Sequence, residues 1–270
     1  MIPASLQTCL SHTMVSQYKY FESIGSTNDE ALNWIHAGAE DFSLVIADEQ
    51  TRGRGRFDRR WVTNPRSSLA FTLILKPLPN EKTMIPFFSP LCGIAVREAV
   101  ENYLATPVEI KWPNDVLINR KKFCGILVEA SWMEGELAGV ALGIGINISR
   151  GSVPPMEFQQ FAATSLEHET SRSIDRYEIL QNVLLSLQKW RAKLGTPEFM
   201  KTWEDHLAFV GELVRIEHSE KPSIIGRMKG INANGNLVLV LDDGQEMSFE
   251  IGDVHLRPST PTGLGGPNVG

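Results

Sequence analysis

The chain has 270 residues, 42% of them hydrophobic and 21% charged, with a formal net charge of −6. That size holds one large domain, or a medium domain with a small companion, and the composition excludes a disordered chain. The acidic balance argues against a protein that grips nucleic acid with its whole surface, and no apolar run approaches the roughly 18–20 residues a bilayer span requires.

Residues 1–20 are weakly patterned. A helix starts at Ser26-Thr27-Asn28-Asp29-Glu30, where Thr27 and Glu30 have capping-box spacing. Ala31, Leu32 and Ile35 form its apolar face and Gly38 is a natural stop. Leu44 to Ala47 and Leu69 to Leu75 read as buried strands, the second broken by Thr72. A helix is expected over 86–104, with Pro86 in its first turn. Strands follow at Val108 to Lys111, Val116 to Ile118, Phe123 to Trp132 and Leu137 to Ile148, with Asn119 to Lys122 as a polar turn. Tyr177, Leu180, Leu184, Leu187 and Leu194 fall at helical spacing over 176–194, Gly195 ends that helix, and a shorter one follows over 197–208. After Val210 the pattern changes to short strands at Leu213 to Ile216, Ile224 to Met228, Leu237 to Leu241 and Glu246 to Ile251. Asn234-Gly235 and Asp243-Gly244 are their hairpin signals. These strands suggest a small barrel sharing its core with the main domain, and the tail from Ser259 has nothing to bury.

Cys9, Cys92 and Cys124 lack metal-ligand spacing and cannot all pair, so they read as reduced thiols. With no basic-then-apolar leader pattern, the expected location is the cytoplasm, and neither membrane nor DNA is an expected partner.

Two stretches carry chemistry. Gly53-Arg54-Gly55-Arg56-Phe57-Asp58-Arg59-Arg60-Trp61, with Arg52 before it, packs five arginines beside two glycines. Such a loop suits a polyanion: glycine lets the backbone approach a ligand, and guanidinium forks match phosphate and carboxylate oxygens. Its like charges repel until an anion arrives, so binding would order it as a lid. The second stretch is Lys111-Trp112-Pro113-Asn114-Asp115, leading through Arg120-Lys121-Lys122 to Gly125-Ile126-Leu127-Val128-Glu129. A lysine there could stabilise charge building on a reacting phosphate, or the basic residues could simply solubilise a turn. Gly143-Ile144-Gly145-Ile146-Asn147 is a glycine-interrupted strand that invites close approach. It lacks the third glycine and the following helix of a dinucleotide fingerprint.

Together with Ser26-Thr27-Asn28, these segments, in this order and spacing, resemble the signature of biotin protein ligases, in the short form without an N-terminal DNA-binding domain. The similarity spans about residues 20–258. It implies an α+β fold: a mixed or antiparallel sheet with flanking helices, class II synthetase-like, over 1–208. A small SH3-like β-barrel over 209–258 and a disordered tail over 259–270 would follow. It implies ATP-dependent ligation of biotin, through biotinyl-5′-AMP, to a lysine of a biotin carboxyl carrier protein, with Mg²⁺ accompanying ATP and no dedicated protein metal site. Homodimerisation through an edge strand stays open. A lipoate protein ligase, a biotin-sensing regulator and an inert adaptor are the rival readings.

The resemblance also implies roles. Ser26, Thr27 and Gln50 would meet the ureido ring of biotin, Asn28 would belong to the biotin site with them, and the backbone of Gly125, Ile126 and Leu127 would line it. Arg54 and Arg56 would clamp the biotin carboxylate and the nucleotide phosphates, and Lys122 would bridge carboxylate and α-phosphate. Trp61, Lys111, Asn114 and Asn147 would serve the nucleotide. Asp115 would orient the acceptor amine or take its proton. The family loop commonly has glycine where this chain has Asp58, which puts a negative charge beside the clamp.

Overall fold

The protein is described from a computed structural model that covers residues 2–57, 59–155, 161–218, 222–250 and 254–258. Asp58 and the tail after Pro258 lie outside the described residues, as does the end of the strand expected to reach Ile251. Two compact units partition the chain, 1–206 and 207–270.

The first unit is built on a seven-stranded mixed sheet. Its strands are β1 (Tyr18–Phe21), β2 (Ser43–Ala47), β3 (Ser68–Leu75), β4 (Val108–Lys111), β5 (Asp115–Ile118), β6 (Lys121–Met133) and β7 (Glu136–Asn147), in the order β1-β2-β3-β7-β6-β5-β4. Only β1 and β2 run parallel; every other pair is antiparallel. β2 and β3 are buried at every residue, which explains their continuous apolar runs. The helices are α1 (Ala4–Ser11), α2 (Thr27–His36), α3 (Phe88–Glu101), α4 (Leu166–Thr170), α5 (Arg176–Arg191) and α6 (Pro197–Asp205). Among the described residues none is long and apolar enough to cross a membrane.

Several expectations are refined. The weakly patterned N-terminus holds α1, which buries Leu6, Cys9 and Leu10, and the short strand β1. The capping box at Thr27 does not form: Ser26 is the N-cap residue of α2, and Glu30 pairs with Lys19 at 2.8 Å. α2 does end before Gly38, whose φ of +90° suits glycine. The polar turn before β6 is tighter than expected. Asn119 and Arg120, both at positive φ, make the turn, and Lys122 is already in the strand.

The second unit carries a five-stranded antiparallel sheet. It comprises β8 (Leu213–His218), β9 (Ile224–Ile231), β10 (Leu237–Val240), β11 (Glu246–Phe249) and β12 (Val254–Pro258), in the order β11-β10-β9-β8-β12. Both expected hairpins are present, with Gly235 and Gly244 at φ of +77° and +82°. The turn at Asn234-Gly235 is wider than two residues, because the Asn232 side chain accepts from the N–H groups of Asn234 and Asn236. β12 was not anticipated.

Candidate active site

The site is laid on one face of β6 and β7. Side chains alternate along a strand, so Gly143 and Gly145 share a face of β7; Gly145 stands opposite Gly125 and Gly143 opposite Leu127 on β6. The three glycines make a floor that neighbouring groups approach too closely for any side chain. A Cβ on Gly143 would run into the Asn28 amide, and one on Gly145 into the Trp61 indole. One on Gly125 would stand 3.0 Å from both Lys122 Nζ and Trp61 Cζ3.

At the Gly143 end lies a buried, neutral polar cluster. Ser26, Thr27 and Asn28, at the start of α2, are all buried. Gln50 Oε1 accepts from the Thr27 backbone N–H at 2.8 Å and lies 3.0 Å from the Thr27 hydroxyl. The Thr72 hydroxyl reaches Asn28 Oδ1 at 2.6 Å and Thr27 Oγ1 at 2.9 Å. Two hydroxyl protons therefore serve three close contacts, so the cluster keeps unspent accepting capacity. Asn28 Nδ2 donates to the Leu127 carbonyl at 3.1 Å and to Glu129 at 2.7 Å.

At the Gly125 end the site is cationic. Lys111 and Asp115 face each other at the end of the β4–β5 hairpin, around the cis Trp112–Pro113 bond. Asp115 accepts from Lys122 Nζ at 2.5 Å and from Lys111 Nζ at 3.0 Å. Burial alone would raise the Asp115 pKa, but the two ammonium groups outweigh it and hold the carboxyl well below the usual range. A carboxylate so stabilised is a poor proton acceptor. Asp115, expected to orient the acceptor amine or take its proton, lies between the two lysines, where it suits holding them in place.

Lys122 Nζ also lies 5.7 Å from the Trp61 ring centroid. The Trp61 indole N–H is a buried donor with no partner among the described residues. Asn114 is bound to β6 rather than held open: it donates from Nδ2 to the Ile126 carbonyl at 2.8 Å, its own carbonyl accepts from Ile126 N–H, and its Oδ1 accepts from Arg56 at 3.3 Å. Ile126 therefore has both backbone groups engaged, and its side chain points away from Gly125, into the core. Asn147, buried at the end of β7, donates to the Thr164 carbonyl at 3.0 Å.

The arginine loop leaves the sheet after β2 and returns before β3, held by a few rungs. Arg66 N–H donates to the Asp48 carbonyl at 3.1 Å, Gln50 N–H to Thr63 Oγ1 at 2.7 Å, Trp61 N–H to the Gly53 carbonyl at 2.9 Å and Gly55 N–H to the Arg59 carbonyl at 2.7 Å. At its base Asp48 accepts from Tyr20, Arg66 and Arg176. Burial and then the Asp48 carboxylate push the Tyr20 hydroxyl up to about 12. Arg54, expected to clamp a ligand anion, lies on protein carboxylates: it bonds both oxygens of Glu129 and sits 2.8 Å from Asp29.

Sequence reasoning missed four contributors. Thr72 had only the signal of a hydroxyl inside a buried strand. Glu129 closed a motif but had no expected partner. Thr63 lies in a stretch without pattern. The segment 161–164 attaches to the start of β6, with Lys122 N–H donating to the Ala162 carbonyl at 2.7 Å and Thr164 N–H to the Lys122 carbonyl at 2.9 Å. It sets the Phe161 ring 4.8 Å from Lys111 Nζ.

Fold and site define a class: an α+β protein whose glycine-floored sheet joins a buried neutral polar cluster to a cationic end, beside an arginine-rich loop. Residues 20–147 match the model of the biotin/lipoate A/B protein ligase family. The bifunctional ligase/repressor BirA of Bacillus spizizenii is 34% identical over 229 residues, covering 83% of this chain and 70% of its own. The biotin–[acetyl-CoA-carboxylase] ligase of Paracoccus denitrificans is 32% identical over 237 residues, covering 79% of this chain and 90% of its own. Among solved structures, the biotin protein ligase of Aquifex aeolicus in complex with biotin and ATP is 28% identical with a TM-score of 0.75, covering 90% of this chain and all of that one. The chain belongs to the biotin protein ligase family.

Proposed function

We propose that the protein is a biotin–[acetyl-CoA-carboxylase] ligase, activating biotin with ATP as biotinyl-5′-AMP and transferring it to a lysine of a biotin carboxyl carrier protein. The observation that carries this reading is the glycine floor, which has a buried neutral polar cluster at its Gly143 end and the Lys111–Asp115–Lys122 cluster at its Gly125 end. A ureido ring needs donors and acceptors for each buried group, and Ser26, Thr27, Asn28 and Gln50 supply them. Trp61 lies directly on Gly125 and Gly145, so the biotin chain would pass along the edge of its indole, whose buried N–H has no partner among the described residues.

Carboxylate and triphosphate repel each other, so the first step needs fixed positive charge. Lys122 and Arg56 supply it where the carboxylate meets the α-phosphorus, and Lys111 and Asn147 serve the nucleotide. Asp115 keeps both ammonium groups aimed. Mg²⁺ enters with the triphosphate: the Asp115 oxygens are taken by lysines, and among the described residues no group of three or more His, Cys, Asp or Glu could cage a metal. The adenylate is a mixed anhydride that water would destroy, so the arginine loop shields it. In the second step the neutral lysine amine attacks the biotinyl carbonyl and AMP departs as a stabilised anion, so no strong acid is needed. With Asp115 held as a weak base, deprotonation of the acceptor lysine, normally near pKa 10.4, falls to solvent.

The second unit is proposed to be an SH3-like barrel that supports the contact with the carrier. The buried, unpaired cysteines suit a reducing cytoplasm. The test is to mix the protein with ATP and biotin, then with ATP and lipoate, and measure pyrophosphate. Release with biotin followed by labelling of a carrier domain is expected. Release with lipoate alone points to the lipoate branch of the family, and no release with either overturns the reading.

A further inference from the structure

Glu129 stands at the crossing of two systems that the sequence treats separately. It lies on β6, a quarter exposed, beyond the glycine floor. Its Oε1 accepts from Arg54 Nη1 at 2.9 Å and its Oε2 from Arg54 Nη2 at 2.7 Å, a two-pronged pair. The same Oε2 accepts from Asn28 Nδ2 at 2.7 Å. Asp29, next to Asn28 at the start of α2, adds a second carboxylate 2.8 Å from Arg54 Nη2. From Asn28 the contacts continue through Thr72 and Thr27 to Gln50. Gln50 itself lies on the N-terminal stem of the arginine loop and holds Thr63 on its C-terminal stem. The circuit closes: loop tip, β6, α2, β3 and loop stem form one polar ring through the neutral cluster.

We infer that Glu129 is a positioning residue that tethers the arginine loop through Arg54 and couples the seating of that loop to the Asn28–Thr27–Gln50 cluster. The coupling follows from sharing. A ligand that engages Asn28 or Thr27 changes what the amide offers Glu129, and so changes the strength of the Arg54 tether; a displaced loop in turn leaves Asn28 one acceptor short. Arg54 is then an anchor, and the anion-facing charge comes from Arg56 of the loop and Lys122 of β6. The tether stands on the geometry alone; the coupling rests on the ligase reading.

Trypsin reads both, because the loop carries Arg52, Arg54, Arg56, Arg59 and Arg60. Glu129→Gln keeps an acceptor for Asn28 and removes the charge that holds Arg54. Without ligands, the variant is expected to be nicked within 52–60 roughly five- to tenfold faster than the parent, the gain of a two-pronged pair that stays partly solvated. Nicking at Lys189 or Lys201 should be unchanged, which separates loop release from global loss of structure. Unchanged nicking within the loop overturns the tether. Arg54→Gln and the double variant complete a cycle: the double should be nicked no faster, at the sites all share, than the faster single, and additive acceleration shows that Glu129 acts through some other group. In the second arm biotin is added. It should slow nicking of the parent and do so much less in Glu129→Gln; equal protection overturns the coupling. A parent that ignores biotin sinks the ligase reading instead, and the ligand-free cycle still decides the tether.

Discussion

The floor of the site and the loop above it use the same chemistry, charge against charge, at opposite ends of rigidity. Lys111, Asp115 and Lys122 sit on paired antiparallel strands, with Lys111 and Asp115 buried. The loop from Asp48 to Arg66 hangs on separate rungs, and the ion pair that joins it to β6, Arg54 with Glu129, has an arginine more than a third exposed. Buried charges bound to one another are costly to unpair; exposed pairs contribute little and exchange readily. The floor can therefore hold a reacting geometry, while the loop can move without unfolding the sheet. A ligase that must admit two anions and then exclude water needs both properties at once.

The comparison breaks most sharply at Asp115. Asp115→Asn leaves two ammonium groups facing each other, one of them buried, at a cost of about 3–5 kcal/mol. It should lower the melting temperature by several degrees and scatter both lysines; a variant as stable as the parent would mean that the cluster is not a unit. The pH dependence gives the sign. The folded-state pKa of Asp115 is depressed, so its stabilisation is fully present above the ordinary aspartate value near 3.9 and is lost only as pH falls through the folded value. Any fall in the acyl-transfer rate between about pH 6 and 8 must then come from the acceptor amine, and a limb that vanishes in Asp115→Asn would restore Asp115 as the base. Next in size is Lys122→Ala. Single-turnover adenylate formation should drop by roughly 10²-fold or more, about 2.7 kcal/mol of transition-state stabilisation, with nucleotide affinity changed far less. A small change in the adenylation rate would remove Lys122 from the chemistry.

The floor was far more legible in the sequence than its wiring. Buried strands announce themselves as apolar runs, and glycines repeated at period two in β7 mark a surface that something approaches closely. Lys111 and Asp115 were both visible in one short motif, but their pairing across the hairpin was not read from it. α1 escaped because eight residues with no side-chain cap and three buried apolar positions give little periodic signal. β1 escaped because all four of its residues are half-buried and its only partner, β2, is parallel and lies beyond α2. Thr72 looked like an interruption in a strand, yet its hydroxyl is central to the polar cluster. Glu129 and Arg54 are 75 residues apart, and nothing local marks either as the other's partner. Charge density marked the loop, but composition does not show that Arg54 lies on Glu129 and Asp29 while Arg56 reaches Asn114.

Gly143→Ala tests the floor at its closest contact. The new methyl would collide with the Asn28 amide, so either α2 shifts or the amide rotates out of its bonds to Leu127 and Glu129. Overpacking of this kind costs about 1–3 kcal/mol. The apparent affinity for biotin should fall more than that for ATP, because the clash lies at the neutral end of the site. Equal losses for both ligands would mean that the two ends are not separate.

The smallest effect sharpens the loop side. Thr63 Oγ1 accepts from the Gln50 N–H at 2.7 Å and lies 3.2 Å from the Gln50 carbonyl, so one hydroxyl ties the two stems of the arginine loop. Thr63→Val keeps the shape and β-branching and removes both bonds, leaving a backbone N–H unmatched in a half-buried place, worth about 1 kcal/mol. Because the stems are also joined at Asp48 and Arg66, the melting temperature should move by only a degree or two. Gln50 would lose its fixed backbone, and with it the aim of Oε1 at Thr27. Thr63→Val should therefore weaken biotin binding a few-fold while single-turnover adenylation at saturating biotin stays near the parent rate. A drop in that saturated rate would show that the stem reaches into the chemistry, and that loop and floor are less independent than their packing indicates.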